Sequence, residues 1–278
     1  MSIATAVTLP KINLSPVKAI SPQVYDWLRK LIIETTITPG TQLSENTLST
    51  QIKVSRQPVR EALMRLSYEG LISIMPQRGS IVERISISNL TQTVFVRTAI
   101  EKECLRSFAH LDKLQQHRIL GQLEKLIELQ QQCKHDDKIR ANYFHLDDLF
   151  HEKICAISGS PLPWNTIQSI KGQMDRVRFL SFNIVPIVNI TSEHEAIIAC
   201  LKQGDIATAV SKSEFHLSQI LEDRKSIVIR YYNWFTADSL KIIAQELGTT
   251  PAELLEQDQV KQKQQSLATS KSTVAPTP

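Results

Sequence analysis

Four residues in this sequence have the types and spacing to hold a metal ion. Asp147 and His151 lie one i, i+4 step apart in HLDDLFHEKIC, so a helix puts both side chains on one face. His194 stands in EHEAI and His216 in EFHLSQI, where an inward rotation of the helix brings it to the others. One carboxylate and three imidazoles can bind a divalent ion and leave positions for water or a ligand. Spacing alone leaves the set open, because a lone histidine on a helix is more often a core or surface residue. HEKIC at 151–155 and HEAII at 194–198 both begin like a zinc-protease helix. Neither supplies the second His of HExxH, which argues against hydrolysis. Asp148, His145 and Glu195 are neighbours that either hydrogen-bond the ligands or face solvent. His110, His117 and His135 read as surface residues.

These side chains require helices to position them. Only 8 glycines occur in 278 residues, and beyond residue 86 the apolar spacing is helical nearly throughout. It predicts helices near 88–109, 112–134, 137–158, 161–183, 191–203 and 205–230. Breaks fall at Asp112, Asp136-Asp137, Ser158-Gly159-Ser160-Pro161, Val185-Pro186 and Gly204-Asp205. Long helices with short connections predict an antiparallel six-helix bundle. Cys104, Cys133, Cys155 and Cys200 are scattered without a CxxC and read as reduced thiols.

The stretch from Gln42 to Val82 has a different character. Ser44 is a good N-cap, and Leu48 and Ile52 give the following helix one apolar side. Lys53-Val54-Ser55 makes a short turn. Pro58 falls in the first turn of the next helix, where its missing N–H costs nothing. Val59, Leu63 and Leu66 form that helix's apolar stripe, and Gly70 sits just past its end. Leu71 to Ile74 and Ser80 to Val82 then read as two short strands around Pro76-Gln77-Arg78-Gly79. Helix, turn, helix and a two-stranded wing would place Arg56, Gln57 and Arg60 at a helix start, where Arg can pair with guanine and Gln with adenine. Such residues are also common on a plain solvated face.

The order of the pieces narrows that choice. SENTLSTQIKVSRQPVREALMRLSYEGLI…PQRGSIV resembles the winged helix-turn-helix of the GntR family of bacterial transcription regulators, over residues 17 to 85. VSRQPVREAL and the G-L-I…R-G-x-x-V ending carry the likeness. It implies DNA contacts from Ser55, Arg56, Gln57, Arg60 and the wing Gly79. The position where the family often has a contacting Arg is Asn46 here. Residues 88 to 230 resemble the FCD effector domain of the FadR-like subfamily through V-R-x-x-x-E at Val96 to Glu101, the D-x-x-x-H pair and the two later histidines. That likeness implies metal ligation by Asp147, His151, His194 and His216, which sets the chain apart from the fatty-acyl-responsive branch. Zinc is the expected ion, with nickel or manganese as alternatives. Arg97, Arg176 and Arg178 become candidates to bind a small carboxylate effector, each also open to ordinary salt bridging. The resemblance further implies a homodimer on a double-stranded operator, repressing a catabolic operon. Ligand binding would re-aim its two readers. A metal-dependent enzyme and a regulator with a purely structural metal are the alternatives.

Charge and flanking segments complete the reading. Residues 1–86 hold ten Lys/Arg against six Asp/Glu, while the whole chain holds 32 against 28. The entire excess of four positive charges therefore lies on the reader segment, which suits a polyanion partner. No apolar run approaches the roughly 18 residues that span a bilayer, and the N-terminus lacks the pattern of a signal peptide. A cytoplasmic, nucleoid-associated protein without membrane contact is expected. Residues 1–16 read as a flexible arm, 17–85 as the reader and 86–232 as the effector domain. Residues 233–257 read as an extra helical hairpin, and 258–278 as a disordered tail.

Overall fold

The computed structural model describes residues 9–133, 137–182, 184 and 186–254, with the backbone alone for 137–141. His135 and the segment 258–278 lie outside the described residues. The first unit holds α1 (Ile20–Ile33), β1 (Gln42–Leu43), α2 (Glu45–Ile52), α3 (Arg56–Tyr68), β2 (Ile72–Met75) and β3 (Gly79–Val82). Ser44 caps α2 by accepting the Thr47 amide at 3.4 Å. Lys53 ends α2 in the left-handed region at φ 56°, and Gly70 follows α3 at φ 67°. α1 starts at Ile20, with Ala19 as its N-cap residue. Val24, Leu28 and Ile32 of α1 meet Val59, Leu63 and Leu66 of α3 in one buried cluster. Their spacing gives each helix a single apolar stripe.

The sheet has three antiparallel strands in the order β1-β3-β2, not the two that the sequence suggests. β1 escapes notice because it is only two residues long, pairing Gln42 with Ile81 and Leu43 with Ser80. Leu9, Ile12 and Leu14 pack on the same core, and Gln23 Oε1 accepts the Ser15 amide at 2.7 Å. Residues 9–16 are thus laid against the first unit, where the sequence suggests a free arm.

The second unit comprises α4 (Ile87–Ser107), α5 (Lys113–Gln132), α6 (Asp137–Ala156), α7 (Leu162–Ile170), α8 (Gly172–Ser181), α9 (Ile187–Gln203), α10 (Ile206–Arg230) and α11 (Ala237–Glu246). Asp112 and Gln115 form a reciprocal capping box on α5. Gly204, at φ 74°, closes α9. α4 lies between α6 and α10, α9 between α10 and α5, and α5 between α9 and α6. These five helices close a ring around the second unit's interior. No helix among the described residues is long and apolar enough to cross a membrane.

Where the sequence suggests one helix over 161–183, two helices meet at Lys171. Lys171 is fully buried. Its Nζ donates to Asp148 Oδ2 at 2.6 Å and to both oxygens of Asp175 at 2.8 and 2.9 Å. The next residue, Gly172, faces Leu71 of the first unit so closely that a Cβ would stand 3.1 Å from Leu71 Cγ. The break lets α8 lie between the units. Residues 234–239, which lead into α11, hold the connector at Ile85 and Ile87. The Ile85 amide donates to the Trp234 carbonyl at 2.8 Å, and the Thr236 amide to the Ile85 carbonyl at 3.0 Å. Ser239 Oγ accepts the Ile87 amide at 2.9 Å.

Candidate functional site

The ring of helices brings the four candidate ligands together. Asp147 and His151 point inward from α6, His194 from α9 and His216 from α10, and their ligand atoms all lie within 4.8 Å of one another. His216 Nε2 is 3.2 Å from Nε2 of both His194 and His151. Asp147 Oδ1 is 3.6 Å from His194 Nε2.

The outer face of each ring sets its tautomer. His151 Nδ1 is 2.7 Å from Glu101 Oε2, and His216 Nδ1 is 2.7 Å from Glu193 Oε2. His194 Nδ1 is 3.0 Å from Gln130 Oε1. Gln130 Nε2 donates to the Leu146 carbonyl at 3.3 Å, so its oxygen is the atom left to face the ring. Each Nδ1 therefore faces an acceptor outward, which turns the three Nε2 atoms toward one another. Burial pushes the His151 and His194 imidazoles well below their ordinary pKa, and the Arg97 charge adds to the shift at His151. Neutral, oriented imidazoles are what a divalent ion requires. Three imidazole nitrogens and a carboxylate oxygen within 4.8 Å of one another form a donor set that fits a divalent metal.

A cavity of about 270 Å³ opens beside the cluster, lined by Arg97, Asp147, His151, Arg178, Glu193 and His216 among others. Arg97 Nε donates to Glu101 Oε1 at 2.6 Å, so one carboxylate holds both an arginine and a histidine. Arg97 Nη2 is buried and has no hydrogen-bond partner among the described residues, so it can donate to a bound anion. Arg178 Nη2 bonds Asp147, and its Nη1 donates to Asp148 Oδ1 at 2.9 Å and Asp175 Oδ1 at 3.0 Å. Arg176 lies elsewhere. It is fully buried, and its Nη1 donates to the Glu83 carbonyl at 2.7 Å at the joint between the units.

Sequence reasoning does not single out Gln130, Glu193, Lys171 and Asp175, and it names Glu101 only as the end of the V-R-x-x-x-E motif. Arg97 with Glu101 and Lys171 with Asp175 have a visible signal, i, i+4 spacing of opposite charges; Gln130 and Glu193 are set by which helices meet. Of the suggested neighbours, Asp148 binds Lys171 and Arg178. Glu195 accepts from Gln131 Nε2 at 2.5 Å on the surface. His145 lines a separate cavity between α1 and α6. His110 and His117 are exposed.

On the first unit, Asn46, Ser55, Arg56, Gln57 and Arg60 are all exposed at the start of α2 and along the outer face of α3. Ser55 precedes α3 without a side-chain cap bond. Arg60 Nη2 rests 3.1 Å from Glu45 Oε2, and Gln57 Nε2 donates to Glu61 at 2.8 Å. Gly79 starts β3 at φ 87°, where an added Cβ would meet the Leu43 carbonyl oxygen at 2.7 Å. The wing therefore needs glycine there whether or not it meets DNA.

Comparisons with known proteins agree with both halves. Residues 20–82 match the family described as bacterial regulatory proteins, gntR family, and residues 92–219 match the FCD domain. The chain is 36% identical over 227 residues to the HTH-type transcriptional repressor RspR of Escherichia coli strain K12, covering 81% of this chain and 98% of that protein. It is 30% identical over 194 residues to the gluconate operon transcriptional repressor of Bacillus subtilis strain 168, covering 66% of this chain and 76% of that protein. Among solved structures, E. coli McbR/YncC is similar in fold, with a TM-score of 0.59 at 22% identity, covering 78% of this chain and all of that one.

Proposed function

Because the chain belongs to the GntR family of bacterial transcription regulators and carries an FCD domain behind its winged helix-turn-helix, we propose that it represses a catabolic operon and senses a small carboxylate through a divalent metal. Regulators of this family bind DNA operators and typically act as dimers. In this reading α3 enters the major groove. Ser55, Arg56, Gln57 and Arg60 contact bases and phosphates, with Asn46 and Gly79 at the edges. The wing and the basic balance of the first unit assist through the backbone.

Asp147, His151, His194 and His216 would hold the ion. When bound, the ion supplies positive charge that draws a carboxylate into the cavity. Arg97 supplies an unpartnered cationic donor at that cavity, and Arg178 a second guanidinium whose Nη2 is shared with Asp147. Glu101, Gln130 and Glu193 hold the imidazoles in register, so ligation needs no rotamer search. Zinc is the first candidate, with nickel and manganese next. The convergence of three imidazole Nε2 atoms beside the Asp147 carboxylate carries this reading.

The test is metal analysis of the purified protein followed by titration with small carboxylates. The reading expects about one ion per chain, lost in His151→Ala and His194→Ala, and carboxylate binding that disappears with the ion. Metal-free protein that binds carboxylates equally well would overturn it. A bundle that melts on chelation, with DNA affinity unmoved by any carboxylate tried, would instead make the metal structural.

A further inference from the structure

We propose that Asp175 is the positioning residue that couples the buried cluster to the DNA-reading helix, an inference that rests on the metal-site reading above. Asp175 is fully buried on α8. Its Oδ1 accepts Arg178 Nη1 at 3.0 Å, and Arg178 Nη2 bonds the candidate ligand Asp147. Its Oδ2 accepts Arg29 Nη2, also at 3.0 Å, and Arg29 belongs to α1 of the first unit. Arg29 Nε in turn donates to Glu69 Oε2 at 2.8 Å. Glu69 is the residue that closes α3, and its other oxygen accepts the Tyr25 hydroxyl. Arg65 of α3 stacks on the Tyr25 ring, 3.7 Å from its centroid. An unbroken run of charged bonds thus leads from the cluster to the last turn of the reading helix.

Other α8 residues also touch the first unit. Gln173 donates to the Gly70 carbonyl at 2.7 Å, and Arg176 to the Glu83 carbonyl. Neither bonds the cluster. Among the described residues of α8, Asp175 alone hydrogen-bonds on both sides.

The element with two arrangements is Arg178. It lines the cavity and spends Nη2 on Asp147. A dication on Asp147 repels that guanidinium, and an anion in the cavity attracts it. Either event redistributes Arg178 among Asp147, Asp148 and Asp175. Asp175 is then left to Lys171 and Arg29, which changes how Arg29 is shared with Glu69. The network is buried, so solvent screens these changes little. Coupling of this kind is a difference in binding free energy between two arrangements, and it must be measured as one.

Hydrogen exchange across residues 56–69 of the full-length protein, with and without Zn²⁺, tests the relay, with metal uptake measured on the same samples. In the wild type, Zn²⁺ should alter exchange in this segment. In Asp175→Asn and Arg29→Met the ion should still load at wild-type stoichiometry, while the response at 56–69 falls at least threefold. Arg29→Met removes a side chain at the edge of the joint and carries the test if Asp175→Asn does not fold. A full response in the variants, or no response in a zinc-loaded wild type, overturns the relay. A wild type that takes up none of Zn²⁺, Ni²⁺ and Mn²⁺ overturns the metal reading instead. The relay is then judged by metal-free Arg178→Met, in which exchange at 56–69 must shift more than at 113–132 of the same sample; a shift no larger there overturns it.

Discussion

Arg176 and Arg178 stand two positions apart on α8 and reach in opposite directions. Two helical steps turn a side chain by about 200°. Arg178 faces the cluster and bonds Asp147, Asp148 and Asp175, while Arg176 faces the first unit and bonds only the Glu83 carbonyl. One short helix therefore has one side on the cluster and one on the first unit, and its two arginines contribute to stability in different ways.

Removing Arg178 strips a cation from three buried or half-buried carboxylates. Arg178→Met should lower stability by roughly 3–5 kcal/mol, as breaking a buried pair commonly does. Arg176 is a poorly satisfied charge, since its Nε and Nη2 lack partners among the described residues and burial pushes its pKa down to about 10. Arg176→Met loses the bond to Glu83 but relieves that burial, so the net change should stay within about 1.5 kcal/mol. Urea unfolding of both variants checks this; equal losses would contradict it.

Gly79→Ala should weaken the wing. The added methyl group meets the Leu43 carbonyl oxygen at 2.7 Å, on a backbone held at φ 87°. A cost of about 1–3 kcal/mol is expected from the strained backbone alone. The same variant should bind DNA more weakly, because β1 and β3 must part to admit the methyl group. Unfolding midpoints and DNA anisotropy read the two effects separately, and wild-type values in both would reject the explanation.

Arg56→Ala and Arg60→Ala test the reading face. Each should cost about 1–3 kcal/mol of binding to DNA selected by the wild-type protein from a random pool. Where the arginine meets a phosphate, its removal should also reduce the salt dependence by about one ion. Both side chains are exposed, so thermal stability should barely change. Undiminished binding in both variants would remove α3 from the interface.

The depressed imidazoles predict how the metal-free protein responds to acid. In the folded state His151 and His194 are held well below the usual value, first by burial. The unfolded chain therefore binds more protons than the folded one below about pH 6.5. The stability contribution is fully present above that pH and is lost as pH falls toward the lower folded values. The slope reaches about 1.4 kcal/mol per pH unit for each histidine. Asp148, held low by Lys171 and Arg178 against its burial, adds loss of the same sign only below about pH 4. Urea midpoints in chelator at pH 8, 7, 6 and 5.5 should hold and then drop; a flat profile would contradict the burial argument.

Much of this was legible in the sequence because its signals are local. Ser44, Pro58 and Gly70 mark the reader's helix ends. The i, i+4 pair of Asp147 and His151 marks the cluster. Asp112 and Gly204 mark helix boundaries by capping chemistry. What escaped was non-local. The break at Lys171 has no turn signal, because a buried ion network and the approach of Leu71 to Gly172 impose it. Arg176 resembles Arg178 in sequence, and only the direction of α8 separates them. Glu193 and Gln130 acquire partners through helix packing that no spacing encodes.

The central claim is that the four-residue cluster governs how tightly α3 holds DNA. Fluorescence anisotropy tests it most directly, using pool-selected DNA and wild-type protein stripped of metal, then reloaded with zinc, beside His194→Ala treated the same way. The account predicts that reloading changes the wild-type dissociation constant at least fivefold, about 1 kcal/mol of coupling, and leaves His194→Ala unchanged. Identical affinities for stripped and reloaded wild type would contradict it.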